Sequence, residues 1–115
     1  MLLSNNNRIS LIRGTNCSLT VSITSSDGSP YVLTEGAIVR FGVKFNLQDD
    51  EYRIRKEITE GENGIFRIEL VPEDTSSMSF GSYYYDIGIQ EGAVYYNVIP
   101  ASEFLIRPNV TGRED

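Results

Sequence analysis

Gly81-Ser82-Tyr83-Tyr84-Tyr85-Asp86-Ile87-Gly88-Ile89-Gln90-Glu91-Gly92-Ala93-Val94-Tyr95-Tyr96-Asn97-Val98-Ile99 is the stretch on which the fold turns. Tyr83, Tyr85, Ile87 and Ile89 recur at every second position, and Val94, Tyr96 and Val98 do the same. A period of two sends one set of side chains to a buried face and the other to solvent, as in a half-buried antiparallel strand. With Glu91-Gly92 as a two-residue turn, the runs form a hairpin in which Ile89 faces Val94, Ile87 faces Tyr96 and Tyr85 faces Val98. The opposite face then pairs Gly88 with Tyr95, Asp86 with Asn97 and Tyr84 with Ile99. An aromatic ring across from a strand glycine fills the space left by the missing side chain.

Outward from this hairpin the same period continues. Cys17, Leu19, Val21 and Ile23 alternate with hydroxyl residues, and Val39, Phe41, Val43 and Phe45 alternate with Arg40, Gly42 and Lys44. Phe66, Ile68 and Leu70 follow the rule, as do Phe104 and Ile106. No long stretch has a helical period. Turn residues separate the runs at Asp27-Gly28-Ser29-Pro30, Gly36, Asn63-Gly64, Glu91-Gly92 and Pro100. This spacing predicts an all-β sandwich or barrel of about eight short strands. Matching Ile58 to Ile68 or Leu70 across Asn63-Gly64 needs an odd-length loop or a bulge, so that register stays open.

Pro72-Glu73-Asp74-Thr75-Ser76-Ser77 breaks the alternation. Proline suits the first position of a helical turn and acids there complement its dipole, so a single helical turn is expected before Gly81. An acidic turn, a glycine and then Tyr-x-Tyr entering a core strand is the approach to a tyrosine corner. That favours an immunoglobulin-like antiparallel sandwich over a closed barrel.

The 115 residues fit a single domain. Surface scaling buries roughly two-thirds of a chain of this size, enough for one core without disulfides. No linker, repeat or low-complexity tract interrupts it. The expected domain spans 8–108, with 1–7 a flexible arm and 109–115 a flexible tail. Residues 1–7 have neither the charged region nor the apolar run of an export signal, and Cys17 has no second cysteine to pair with, so folding in the cytosol is expected.

Composition excludes several functions. With 16 acidic and 10 basic residues the net charge is −6, which repels a phosphate backbone, and no basic run offers a site for an anionic membrane. There is no histidine, so the commonest general base and metal ligand is missing and no Ser-His-Asp or Cys-His arrangement can form within the chain. Zinc patterns, a Walker loop and a dinucleotide-binding glycine motif are absent. Cys17 is in phase with Leu19 and Val21 and reads as a small buried hydrophobe rather than a reactive thiol. Asp49-Asp50-Glu51 and Glu60-Gly61-Glu62-Asn63 could offer oxygens to calcium, but their spacing matches no EF-hand and they read as solvated loops. No catalytic residue, metal site or cofactor is expected.

What remains is surface. Tyr84, Tyr95 and Ile99 fall together on the expected outer face of the hairpin. Tyrosine is enriched in contact surfaces, so this set is the candidate interaction face, for a neighbouring copy or another protein.

Several fragments, in order, carry a resemblance. They are Arg13-Gly14-Thr15, Asp27-Gly28-Ser29-Pro30-Tyr31-Val32-Leu33, Gly36 to Lys44, Gly64 to Leu70, Pro72-Glu73-Asp74-Thr75, and Gly81 to Ile87. Over roughly Ile9 to Pro108 the chain resembles small immunoglobulin-like structural domains of phages and prophages of Gram-positive bacteria, of which the N-terminal domain of upper baseplate proteins is the best known. The resemblance implies a non-enzymatic virion protein, in the baseplate or as a head or tail accessory. It would bind other virion proteins or further copies of itself, be made in the host cytoplasm, and need no nucleic acid, membrane or cofactor. A carbohydrate-binding or adhesion module, or a small inhibitor of a host protein, is the alternative; the lack of tryptophan counts against the first of these.

Overall fold

The structure, a computed structural model, describes residues 8–108. The elements are β1 (Ile9–Ile12), β2 (Cys17–Ser22), β3 (Ile38–Lys44), β4 (Ile54–Ile58), β5 (Ile65–Leu70), α1 (Pro72–Thr75), β6 (Gly81–Glu91) and β7 (Val94–Arg107). They form two sheets: a five-stranded one ordered β1-β7-β6-β3-β4, and a two-stranded one of β2 and β5. The described residues form an all-β, two-sheet sandwich with a single helical turn.

The alternation explains the core. Val39, Phe41 and Val43 of β3, Tyr85, Ile87 and Ile89 of β6 and Phe104 and Ile106 of β7 are buried in one cluster with Leu19 and Val21 of β2 and Phe66, Ile68 and Leu70 of β5. At its centre the Phe41 and Tyr85 ring centroids are 5.8 Å apart, Phe41 and Phe104 6.2 Å, and Tyr85 and Phe104 6.3 Å. Tilted and edge contacts of this kind favour aromatic pairs beyond the area they bury.

Several details differ from the sequence expectation. Among the described residues there are seven strands rather than about eight, because Pro100 does not end a strand: Val94–Arg107 runs through it. Register shifts in the β6–β7 ladder absorb two extra residues of β7 there, and a bulge is one of the few places in a sheet where proline's missing N–H is tolerated. Not every pairing is antiparallel. β1 lies parallel to β7, with Ile9 beside Phe104 and Ile12 beside Arg107; most of the chain separates these strands, so no hairpin dictates their direction.

Nor does Ile58 pair with β5. It pairs with Val39 in the five-stranded sheet, while β5 crosses to the other sheet and pairs with β2, Val21 opposite Phe66 and Leu19 opposite Ile68. The crossing ends in a tight turn at Asn63 (φ 53°) and Gly64 (φ 76°), closed by reciprocal backbone bonds between Glu62 and Ile65. Positive φ at both central residues is the type I′ pattern that Asn-Gly favours.

The helical turn forms where Pro72 and the acids predict it. The Asp74 carboxylate accepts the Val71 N–H at 2.8 Å and pairs with Lys56 Nζ at 3.0 Å. Thr75 is fully buried, its Oγ1 accepting the Gly14 N–H at 2.8 Å and so tying the β1–β2 turn to α1. Downstream, the Tyr83 hydroxyl donates to the Ser79 carbonyl at 2.9 Å, the backward side-chain-to-backbone bond expected of a tyrosine corner. Cys17 is half-buried opposite Leu70, packed against the core, and burial pushes its thiol pKa up, with the Glu69 charge adding to it. The expected arm and tail, 1–7 and 109–115, lie outside the described residues.

Candidate functional site

β3 and β6 pair without interruption from Ile38 opposite Gln90 to Lys44 opposite Tyr84. The alternation of β6 is therefore unbroken, and Tyr84, Asp86, Gly88 and Gln90 share the outer face of the five-stranded sheet. Tyr84 is 42% exposed and Tyr95 51%, and Tyr95 lies over Gly88 on that same face. Two of the three residues expected there are thus in place.

Ile99 is not. It is 1% exposed and belongs to the core, opposite Ile87. The turn differs from the expected one, but by a shift that changes partners and leaves the faces as they were. The two-residue loop is Gly92-Ala93, with Glu91 opposite Val94, rather than Glu91-Gly92. Gly92 at φ 60° in the first central position, followed by a residue without positive φ, is the type II′ pattern; a turn at Glu91-Gly92 would put the glutamate where glycine is favoured. Ile89 accordingly faces Tyr96, and two register shifts beyond it bring Ser102, rather than Val98, opposite Tyr85. The cause of the burial is a bulge: Gly88 pairs with Asn97 but Ile87 pairs with Ile99, so Val98 is extra and the parity of β7 flips. The flip buries an isoleucine, a gain of about 1.5–3 kcal/mol over leaving it exposed.

The face has a member that periodicity missed. Tyr52, from the loop between β3 and β4, lies over Gly42 as Tyr95 lies over Gly88. It is 48% exposed and lines a shallow groove of about 130 Å³ together with Lys44, Leu47, Tyr84 and Asp86. The Lys44 ammonium sits 4.8 Å from the Tyr52 ring centroid and the Arg55 guanidinium 5.4 Å. The signal in the sequence was Gly42 itself, an outward strand position with no side chain, which invites a ring from elsewhere.

Polar pairs fill the space between the rings. Asn97 Nδ2 donates to Asp86 at 3.2 Å, Arg40 Nε to Gln90 at 2.9 Å, and Arg40 also meets Glu57 at 2.7 Å. Exposed rings set among satisfied polar pairs are what non-obligate protein contacts are built from. Val94 and Tyr96, expected in the core, are 48% and 53% exposed although they share the face of Ile89. The six-residue strands of the smaller sheet are too short to cover the tip of the β6–β7 hairpin. Phe45, also expected inside, lies one residue past β3, 48% exposed, with its ring centroid 5.6 Å from that of Tyr83.

Among the described residues no group of three or more Cys, Asp or Glu is placed to hold a metal ion, and no helix is long and apolar enough to cross a membrane. No protein-family model matches the chain, and no curated protein matches it.

Proposed function

We propose that this protein is a non-enzymatic structural component of a phage or prophage particle, attached to other virion proteins through the outer face of its five-stranded sheet. The observation that carries the reading is the row of tyrosines on that face: Tyr84 and Tyr95 exposed where the sequence puts them, joined by Tyr52. Each ring offers a large apolar area and a hydroxyl, and two of them rest on strand glycines that limit their movement, so little freedom is lost on contact. The quoted fragments of the resemblance support the reading, since they fall on turns and core strands of a two-sheet sandwich. The absence of histidine supports a surface role over catalysis.

Virion components are repeated around symmetry axes, so self-association is the first thing to measure. Light scattering over a range of concentrations should give a defined oligomer, and the Tyr84→Ser/Tyr95→Ser variant a smaller mass or weaker binding to virion proteins. A folded double variant with unchanged mass and unchanged partner binding overturns the proposal.

A further inference from the structure

Beside the tyrosine face, and sharing Tyr52 with it, rings and cations gather around a cleft. It lies between the β3–β4 loop and the segment joining α1 to β6, with a volume of about 450 Å³, within the range of sites that bind small groups. Met78 and Tyr83, both buried, line it, and Phe45, Tyr52 and Phe80, each 48% exposed, surround it. Exposed apolar side chains scattered singly are ordinary, but three rings around one concavity are a contiguous patch.

The charge there runs against the rest of the chain. In a protein of net charge −6, Arg53 lines the cleft, Arg13 stacks 4.1 Å from the Phe80 ring centroid, and Lys44 stands over Tyr52. Among the described residues, none of these three of the chain's ten basic residues has a carboxylate within ion-pair distance, whereas Arg8, Arg40, Arg55 and Lys56 all do. Arg13 gives one N–H to the Met78 carbonyl at 3.3 Å, which fixes the guanidinium while leaving donors unused. Asp49, Asp50 and Glu51 belong to the same loop, yet none of them lines the cleft, and Asp49 is engaged with the Asn46 N–H at 3.0 Å.

We infer that this cleft docks an acidic segment of a neighbouring protein, one that carries a carboxylate next to a large apolar side chain. The apolar group fills the space above Met78 and Tyr83, and the carboxylate meets Arg53 and the stacked Arg13. A guanidinium already stacked on a ring is weakly hydrated and held in place, which suits it to a carboxylate. The net charge of the chain disfavours a polyanion, whereas one or two carboxylates feel mainly the local cations. The inference deepens the structural reading above by naming an adjoining contact surface, which meets the tyrosine face at Tyr52, and its partner's chemistry.

The test is a titration of the full chain, followed residue by residue through backbone amide NMR signals, with three end-capped peptides: Asp-Leu-Phe-Glu, Lys-Leu-Phe-Lys and Asp-Ser-Ser-Glu. The first should give saturable shifts confined to the β3–β4 loop and the Ser77–Phe80 segment, weakened by added salt, and the other two should not. Arg53→Glu and Phe80→Ser, both at exposed positions, should each lower affinity roughly tenfold, as expected when a charge-assisted contact or an apolar anchor is lost. No saturable shift up to about 5 mM, equal binding of the lysine peptide, or indifference to both variants overturns the inference. Tyr84→Ser/Tyr95→Ser should leave peptide binding intact, so failure at the cleft is distinguishable from failure of the tyrosine face.

Discussion

Tyr95 of β7 covers the backbone of Gly88 of β6 so closely that a β-carbon on the glycine would overlap the end of its ring. The two are not direct partners. Gly88 pairs with Asn97 and Tyr95 with Gln90, so the ring leans along the strand into a diagonal position. The same relationship recurs between Tyr52 and Gly42. The glycines therefore hold two outer-face rings against the sheet instead of leaving them free in solvent.

Gly88→Ala should displace Tyr95. The obstructing atoms are at the far end of a side chain that can swing away, so the expected loss is about 1 kcal/mol and falls on the ring's position more than on the fold. In a double-mutant cycle with Tyr95→Ser, monitored by urea denaturation, the two changes should be markedly non-additive. Strict additivity would show that the ring and the glycine do not depend on each other.

How much of this was legible follows from what periodicity can and cannot carry. Alternation assigned Leu19, Val21, Phe41, Phe66, Ile68, Tyr85 and Phe104 to the core, because a period of two determines which side of a strand is buried. It says nothing about which sheet a strand joins, so the pairing of Ile58 with Val39 was out of reach. It also fails past any inserted residue: one bulge at Val98 was enough to move Ile99 from the surface to the interior. Tyr52 belongs to a loop with no period at all, and only the bare outward position of Gly42 pointed toward it.

Gly64 carries a constraint of a harder kind. Its φ of 76° is one that a β-carbon opposes, and a β-carbon there would collide with the Ile23 carbonyl, which is backbone and cannot rotate aside. The Gly64 carbonyl also accepts the Ile23 N–H at 2.7 Å, binding the turn to the end of β2. Gly64→Ala should destabilise the protein by more than about 2 kcal/mol, seen as a lower urea midpoint. Asn63, at φ 53°, should accept glycine with little change. Equal tolerance of Ala at 64 and Gly at 63 would refute the turn geometry.

Thr75 is the fully buried polar residue that joins distant parts of the chain. Replacing it with valine keeps the shape but removes the acceptor for the Gly14 N–H. The orphaned donor should cost about 1–3 kcal/mol. Serine keeps the oxygen and should recover most of the difference, apart from the lost methyl. Hydrogen exchange at Gly14 gives a local readout: its amide should be protected in the parent and the serine variant, and exchange faster with valine. Equal protection in all three would mean that the hydroxyl does not hold the turn.

Tyr31 and Tyr85 give stability a dependence on alkaline pH. Burial raises the Tyr31 pKa to about 12, reinforced by the hydrogen bond its hydroxyl gives to Glu91 and by that carboxylate's charge; burial alone takes Tyr85 to about 12. In the unfolded chain both ionise near pH 10. Below that, each is protonated in both states and its contribution is complete. Between about pH 10 and pH 12 the unfolded state gives up the protons while the folded state keeps them, so the unfolded state binds fewer and stability falls as pH rises. Urea midpoints compared at about pH 9 and about pH 11.5 should drop more for the parent than for Tyr31→Phe/Tyr85→Phe, which has neither proton to lose. Absorbance of ionised tyrosine should show the same thing in the folded protein, as a late-titrating component that the double variant lacks. A parent and a double variant that lose stability in parallel would mean that neither hydroxyl is held back by its surroundings.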